Sequence, residues 1–355
     1  MMNRRSFLGT GSLLLAGSAG IPAALAAAPL GRRLGVTAWS YRIRWGQRRK
    51  PEAPQPAWRD ALDLLEHCAG LGAGCLQVGV RDWTADFAGR VRDRREQLGI
   101  ALEGQIALPR DDAGLEQFTS QIAAAREAGA TVVRTVCLGG RRYESFSSME
   151  EWRRFVKESR TALERVEPIV SRHGIKLAVE NHKDWRIDEF LSLLEHLSSD
   201  SIGVTFDFGN NFALLEHPHA VGEALAPFVM TTHVKDMGLA PHEDGFLLSE
   251  VPLGEGVLDL ERMMTLCSEA NPDVQFNLEM ITRDPLRVPV WDDSYWNTMP
   301  DLPAHDLART VRLAQAGDPD SLPSMKGRDA AGEIAFEEEN VRRSFAFARE
   351  RLGFS

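Results

Sequence analysis

Eight short apolar runs alternate with amphipathic segments between Leu34 and Thr282, and each of the last four runs ends in a carboxylate or an imidazole. Strands alternating with helices give parallel sheets, and eight such units close into a barrel. These two observations predict an α/β protein of the (β/α)8 barrel class. It reads as a single domain over residues 34–355, with an insertion at about 284–333 after the eighth strand.

Leu34–Tyr41 reads as the first strand, and the polar, Pro-rich stretch Arg42–Pro56 as a loop. Trp58–Leu71 carries Leu62, Leu65, Cys68 and Leu71 at helical spacing. Gly74–Val80 is a strand, Ala85–Leu98 a helix, Ile100–Ala107 a strand, Leu115–Ala128 a helix and Thr131–Leu138 a strand. The long amphipathic segment Met149–His173 predicts a helix that Gly174 stops. Strands at Ile175–His182, Ile202–Asn210, Phe228–Asp236 and Val274–Glu279 then alternate with helices at Ile187–Leu197, Ala220–Leu225 and Leu258–Ser268. The insertion opens with the Pro- and Trp-bearing run Arg287–Trp296, followed by a helix at Ala304–Ala314 and a Gly/Pro/Asp loop, and a last helix spans Ile334–Leu352. A loop this long after a barrel strand serves function more often than not. Its tryptophans have two readings, covering the barrel mouth or packing the insertion onto the barrel.

Alternation along a strand sends successive side chains to opposite faces. Ile175, Leu177 and Val179 share one face and Glu180 lies on the other; Ile202, Val204 and Phe206 oppose Asp207; Val274, Phe276 and Leu278 oppose Glu279. In the third of these runs Thr231 and Thr232 blur the pattern ahead of His233. In a barrel wrapped by helices the greasy face meets the helices, so Glu180, Asp207, His233 and Glu279 converge in the lumen at the C-terminal end. Two Glu, one Asp and one His make an oxygen-rich site for one divalent ion. Manganese is the first choice, with magnesium, cobalt or zinc as alternatives, and the lack of thiolates argues against a structural zinc. Such an ion polarises a carbonyl, and two carboxylates beside it can remove and return the proton of the adjoining carbon.

The bulk numbers narrow the field. A chain of 355 residues with net charge −10 has no electrostatic footprint for nucleic acid. Arg4-Arg5-Ser6-Phe7-Leu8, an uncharged apolar stretch to Leu25 and small residues at Ala23–Ala28 predict a twin-arginine signal peptide over residues 1–28. The expectation is therefore a periplasmic or extracytoplasmic protein without a stable membrane anchor. Cys68, Cys75, Cys137 and Cys267 form no paired motif and read as buried free thiols.

The segments Val179-Glu180-Asn181-His182, Asp207-Phe208-Gly209-Asn210, His233-Val234-Lys235-Asp236 and Leu278-Glu279 resemble the xylose isomerase-like, sugar phosphate isomerase/epimerase family. The resemblance covers about Leu34 to Thr282. It implies a TIM barrel that holds one divalent ion on Glu180, Asp207, His233 and Glu279, with Glu180 and Glu279 also the proton-transfer pair. It further implies that His182 and Lys235 face substrate oxygens. The pattern departs from ketose epimerases at Gln77, Asn210 and Arg186, where a Glu, a His and a Glu are common; the ligand set is intact and the substrate is left open.

Further site candidates are Lys235 as a catalytic cation, Asn210 and Arg134 as substrate contacts, and Trp39 as a stacking surface beside Tyr41. Glu255, in the Gly-rich turn Pro252–Gly256, is a candidate substrate contact, and that turn a candidate phosphate cradle. The expected activity is isomerisation or epimerisation of an unphosphorylated sugar, keto-sugar or cyclitol. Alternatives are a lyase or dehydratase acting on a 3-keto-glycoside and a non-catalytic carbohydrate-binding barrel. The expected partner is a small carbohydrate, and a homo-oligomer is compatible with the sequence.

Overall fold

The computed structural model describes residues 32–47 and 58–355. The leader expected over residues 1–28 lies outside the described residues. Within them, eight parallel strands close a barrel. They are β1 (Gly35–Thr37), β2 (Cys75–Gly79), β3 (Ala101–Gln105), β4 (Val132–Thr135), β5 (Lys176–Glu180), β6 (Ile202–Asp207), β7 (Val229–Val234) and, after two further strands, β10 (Gln275–Leu278). Each neighbour in the barrel follows in chain order until β1 pairs with both β2 and β10. Gly35 is required at that seam: a Cβ there would lie 2.1 Å from Asn277 Oδ1 and 2.8 Å from Cys75 Cβ.

Helices cover the outside, and their ends carry the signals that the sequence announced. Thr84, Asp111 and Ser148 cap helices Ala85–Leu98, Asp112–Glu127 and Met149–His173 with side-chain acceptors, and Gly99 and Gly174 end the first and the last of these in left-handed conformation. The strands' apolar face packs against these helices: Val36, Leu76, Val78, Leu102, Val133, Leu177, Val179, Val204, Phe206, Phe276 and Leu278 are all within 4% of complete burial. The final helix, Ala330–Arg351, is the barrel's eighth. Its buried Glu337 accepts the backbone N–H groups of Ile43 (2.7 Å) and Arg44 (3.0 Å). These belong to a short helix, Arg42–Gln47, in place of the loop expected from Arg42 onward; the rest of that loop lies outside the described residues.

Two features differ from the sequence reading. Residues 236–251, to which the sequence reading assigned no element beyond the strand end at Asp236, form an antiparallel hairpin of β8 (Asp236–His242) and β9 (Gly245–Val251). Its two-residue turn is Glu243–Asp244, and Gly245 has φ +150°, where a Cβ would lie 2.3 Å from the Val288 carbonyl oxygen. The insertion then contributes β11 (Leu286–Val288), which pairs with β9, so a three-stranded sheet stands above the barrel. Second, β6 and β7 shift register between Val204 and Thr205, which skips Met230. That bulge turns Thr231 and His233 to the lumen and accounts for the blurred alternation in this strand.

The insertion packs by its aromatics. Tyr295 is fully buried, packs with its ring tilted 38° and centred 5.2 Å from that of Tyr143, and donates to the Ala213 carbonyl (3.0 Å). Trp296 donates from Nε1 to the Val290 carbonyl (3.1 Å), and Trp291 is exposed. Neither tryptophan lines the barrel mouth, which Leu286 alone reaches from the insertion. Arg142, fully buried, fastens the insertion to the barrel: it donates to the Thr298 carbonyl (2.6 Å) and to Glu189 Oε1 (3.1 Å), and lies 3.6 Å over the Trp152 ring. All four cysteines are free thiols. Among the described residues no helix is long and apolar enough to cross a membrane.

Candidate metal centre

Glu180 ends β5, Asp207 ends β6, His233 is the penultimate residue of β7 and Glu279 follows β10. Asp207 and His233 are register partners, so neighbouring strand ends bring the ligands together. One ligand atom from each of the four lies within 4.8 Å of the others, and all four residues are buried. His233 Nδ1 is 3.3 Å from Glu279 Oε1, 3.4 Å from Glu180 Oε2 and 3.8 Å from Asp207 Oδ2.

Two buried atoms here lack a hydrogen-bond partner, Asp207 Oδ2 and His233 Nδ1. Lys235 Nζ lies 2.7 Å from Asp207 Oδ2 but off the line that a hydrogen bond requires. Orphaned donor atoms facing three carboxylates fit a divalent cation, because a buried polar atom without a partner costs about 1–3 kcal/mol. Oxygen donors with one imidazole suit manganese, magnesium, cobalt or zinc.

Gln77 sets the imidazole. It donates from Nε2 to Glu103 Oε2 (2.9 Å), which commits its Oε1 as an acceptor. That oxygen sits 2.8 Å from His233 Nε2 and accepts also from Gln105 Nε2 (2.7 Å). Nε2 is therefore the nitrogen that keeps its proton, and Nδ1 is the one left to a metal ion once its own proton is displaced. Glu103 accepts further from Thr231 (2.9 Å) and Asn277 (3.0 Å); burial nevertheless raises its carboxyl to about 7.

Charges around the ligands are balanced closely. Lys235 Nζ donates to Glu279 Oε2 (2.7 Å), and the surrounding carboxylates outweigh burial to keep it protonated. Burial opposes ionisation of Glu279, yet His233 and Lys235 prevail and hold it well below the usual carboxylate range. Burial likewise disfavours the imidazolium of His233, but Glu279, Glu180 and Asp207 together raise it to about 9. Arg134 donates from Nε to Glu180 Oε2 (2.6 Å).

The mouth above the ligands is a cavity of about 220 Å³. Of the sequence candidates, Trp39, Arg134, Glu180, His182, Lys235 and Glu279 line it. Trp39 is exposed at 44%, whereas its neighbour Tyr41 is buried under Trp58 and bonds His67 (3.1 Å). His182 is anchored from Nδ1 to the Gly140 carbonyl (3.1 Å); burial and the charge of Lys183 push it well below the imidazole range. Asn210 is completely buried and is not among the residues that line the mouth. It donates to Glu180 Oε1 (3.0 Å) from its side chain and to Asp207 Oδ1 (2.9 Å) from its backbone. It orients ligands, which corrects its reading as a substrate contact.

Glu255 is also corrected. It is exposed, outside the mouth, and paired with Arg343 on the last helix. The Gly-rich turn beside it is already engaged: Asp236 accepts the N–H groups of Gly254 (3.0 Å), Gly256 (3.0 Å) and Leu258 (3.1 Å). Those donors close on a carboxylate of the chain itself, which leaves none for a phosphate.

Three site residues escaped the sequence reading. Lys183 lines the mouth and is 3% exposed. Glu250, on β9, accepts two bonds from Arg283 (2.7 and 3.1 Å) and lies 3.8 Å from Lys235. Arg283 and Lys235 outweigh burial and hold Glu250 at about 2. The hairpin that delivers Glu250 carried one local signal, Glu243-Asp244-Gly245 between apolar runs.

Comparison with known proteins agrees with this geometry. The 3-oxo-isoapionate decarboxylase of Pectobacterium atrosepticum is 29% identical over 231 residues, covering 63% of this chain and 77% of that protein. A xylose isomerase-like TIM barrel protein from Mycobacterium smegmatis, crystallised in complex with magnesium, matches at TM-score 0.54 and 16% identity over 80% of this chain and 97% of its own. D-psicose 3-epimerase, solved in the presence of D-fructose, matches at TM-score 0.57 and 13% identity over 90% and 99%. The family model described as xylose isomerase-like TIM barrel matches residues 106–299. With more than half its length under that model and eight parallel strands closed into a barrel, the chain belongs to the xylose isomerase-like TIM barrel family.

Proposed function

We propose that this protein is a divalent-metal-dependent sugar isomerase or epimerase that abstracts a proton next to the carbonyl of a keto sugar. The observation that carries the reading is the pair Glu180 and Glu279, both buried and both within 3.4 Å of His233 Nδ1, at the floor of a sugar-sized mouth. Glu180, Asp207, His233 and Glu279 would hold the ion. When bound, it supplies Lewis-acid polarisation of the substrate carbonyl.

The chain's own residues do the rest. Glu279 is held ionised and serves as the base: it takes the proton from the carbon beside the carbonyl, and the C–H electron pair moves through the carbon–carbon bond onto the carbonyl oxygen. Lys235, 2.7 Å from Glu279, offers a permanent positive charge where that oxygen becomes negative. Return of a proton from the Glu180 side to the same carbon gives the epimer; return to the adjoining carbon gives the isomer. Gln77 and Asn210 keep His233 and Glu180 in place throughout.

A second reading draws on the 29% identical decarboxylase. In a decarboxylation the carbon–carboxylate bond breaks in place of the C–H bond and its electron pair moves onto the carbonyl oxygen. In a β-elimination the C–H bond breaks as before and the electron pair then returns from that oxygen to expel the β-leaving group. Either course would make the protein a lyase. Product mass separates the readings: isomerisation conserves it, and the lyase loses carbon dioxide, water or an aglycone.

The test is deuterium exchange. Metal-loaded protein in heavy water should place deuterium beside the carbonyl of a keto sugar, and Glu279→Gln should slow this by at least about 10²-fold, the low end for loss of a general base. Exchange at the unaltered rate in Glu279→Gln, with metal content verified on the same sample, would remove Glu279 from the proton path.

A further inference from the structure

The mouth contains more positive charge than the ligand cluster uses. Six of its lining residues are cationic, Arg42, Arg134, Arg141, Lys183, Lys235 and Arg283, against the two carboxylates Glu180 and Glu279. Most of them have identifiable counter-charges. Arg134 faces Glu180, Lys235 faces Asp207 and Glu279, Arg283 faces Glu250, and Arg141 faces Glu144 (2.6 Å). Arg42 lies in the field of Glu337.

Lys183 differs from these. It is 97% buried by the same measure that leaves it 3% exposed, and its ammonium makes one side-chain hydrogen bond, to the neutral amide oxygen of Asn210. Among the described residues no carboxylate lies within ion-pair distance of it. Its electrostatic neighbours are Lys235 and Arg283, which repel it, and Glu250 and Asp207, which attract it from beyond ion-pair distance and are themselves engaged by Arg283 and Lys235. A buried ammonium normally has a carboxylate beside it, because desolvation without a partner costs several kcal/mol. Arg141 adds a second loose end at the same rim: its Nε is buried without a hydrogen-bond partner. The two are stitched together, since the Arg142 N–H donates to the Lys183 carbonyl (2.8 Å) and His182 holds the Gly140 carbonyl.

We propose that Lys183, Arg141 and Arg283 form a carboxylate-binding subsite in the mouth, and that the substrate is a sugar acid whose carboxylate docks there while its carbonyl faces the metal ligands. The charge balance selects the class. With Arg283 and Arg141 matched by Glu250 and Glu144, the surplus at this rim is the single charge of Lys183. A carboxylate brings one negative charge, whereas a phosphate monoester brings about −1.5 to −2. Three ligand carboxylates balance Arg134, Lys235 and one of the two charges of a divalent ion. The remaining positive charge meets the negative charge that develops on the carbonyl oxygen. Burial lowers Lys183 to about 8, so it is still predominantly an ammonium at neutral pH.

This inference rests on the proposed function for the position of the carbonyl, and the test separates the two. Calorimetric titration of the magnesium-loaded protein compares D-gluconate with D-glucitol, the same chain with an alcohol in place of the carboxylate. Inorganic phosphate and D-glucitol 6-phosphate form a second pair. Gluconate should bind at least about tenfold more tightly than glucitol, the equivalent of one charge-assisted contact. Lys183→Met should abolish that preference and Lys183→Arg should keep most of it, with magnesium uptake measured on both to show an intact barrel. If Lys183→Met does not fold, the gluconate-to-glucitol ratio of the unaltered protein decides alone. Equal binding of the two polyols, no gluconate binding at tens of millimolar, or a gluconate preference that survives Lys183→Met each overturns the subsite. A stronger response to the phosphate pair overturns the choice of carboxylate. Deuterium exchange into neutral D-fructose without selective gluconate binding leaves the proposed function standing and removes the subsite; selective gluconate binding without exchange into any keto sugar does the reverse.

Discussion

His233 is oriented by an uncharged neighbour. A Glu at position 77 would bring a fourth carboxylate against the imidazole and its own counter-charge problem beside Glu103; Gln77 supplies the acceptor without the charge. The consequence is a proton competition that can be measured. Metal binding needs Nδ1 unprotonated, and the surrounding carboxylates raise the imidazole to about 9 against the opposing effect of burial. Below that value the proton occupies the ligand atom, so apparent metal affinity should fall about tenfold per pH unit from pH 9 downward and level off above it. Magnesium titrations between pH 6 and 9.5 check this, and a flat profile would show that His233 is not protonated in the free protein. At this scale the sequence revealed the four ligands because each sits at a strand end with a clear face opposite. It concealed their supports: Gln77 stood out only as a departure from a pattern, since its partner Glu103 is 26 residues away, and Lys183 carried no mark of burial.

Elements were legible in proportion to how local their causes are. Helices with side-chain N-caps and glycine stops were read within a few residues, and the barrel strands were read from apolar residues alternating with polar ones that face the lumen. The sheet of β8, β9 and β11 was not read, because two of its strands come from the loop after β7 and the third from the insertion beyond β10. Only pairing in space makes them strands. The helix Arg42–Gln47 was hidden for a related reason, its first N–H groups being satisfied by Glu337 from the far end of the chain. Arg142 is the corresponding fastener for the insertion. Arg142→Met would keep most of the packing on Trp152, leave the buried Thr298 carbonyl without its donor and remove the cation facing Glu189, which keeps its bonds from Trp152 Nε1 and the Arg186 N–H. The expected loss is about 3 kcal/mol. It should appear as a lower melting temperature together with faster proteolysis near residues 290–300; an unchanged melt with unchanged cleavage would show that the aromatic packing of Tyr295 is sufficient by itself.

For the whole molecule, the metal is expected to act as a keystone. Its ligands come from four strands that make up half of the barrel's circumference, and the unfolded chain has no such constellation. Magnesium or manganese at a hundredfold excess over its dissociation constant should stabilise the fold by about 2.7 kcal/mol. Scanning calorimetry with chelator and with added metal measures this, and identical melting curves would count against the cluster as a metal site. The barrel class was legible because alternation, length and strand-end ligands all report the same architecture. The charge surplus of the mouth was not, since it depends on which of the 41 basic residues meet an acid in space.

The seam between β1 and β10 adds a dimension of time. Ser40, just past β1, donates to the Leu278 carbonyl and accepts the Met280 N–H, residues 238 and 240 positions further along the chain. At 5–20 residues per second, translation separates the two sides of that seam by roughly 12–48 s. Throughout that interval the nascent barrel is an open sheet whose free edge is β1, a strand of only three residues that carries a glycine. So short and flexible an edge is a poor template for pairing with another chain. The glycine that the finished seam requires thus sits on the edge that stays unpaired while the ribosome is still making its partner.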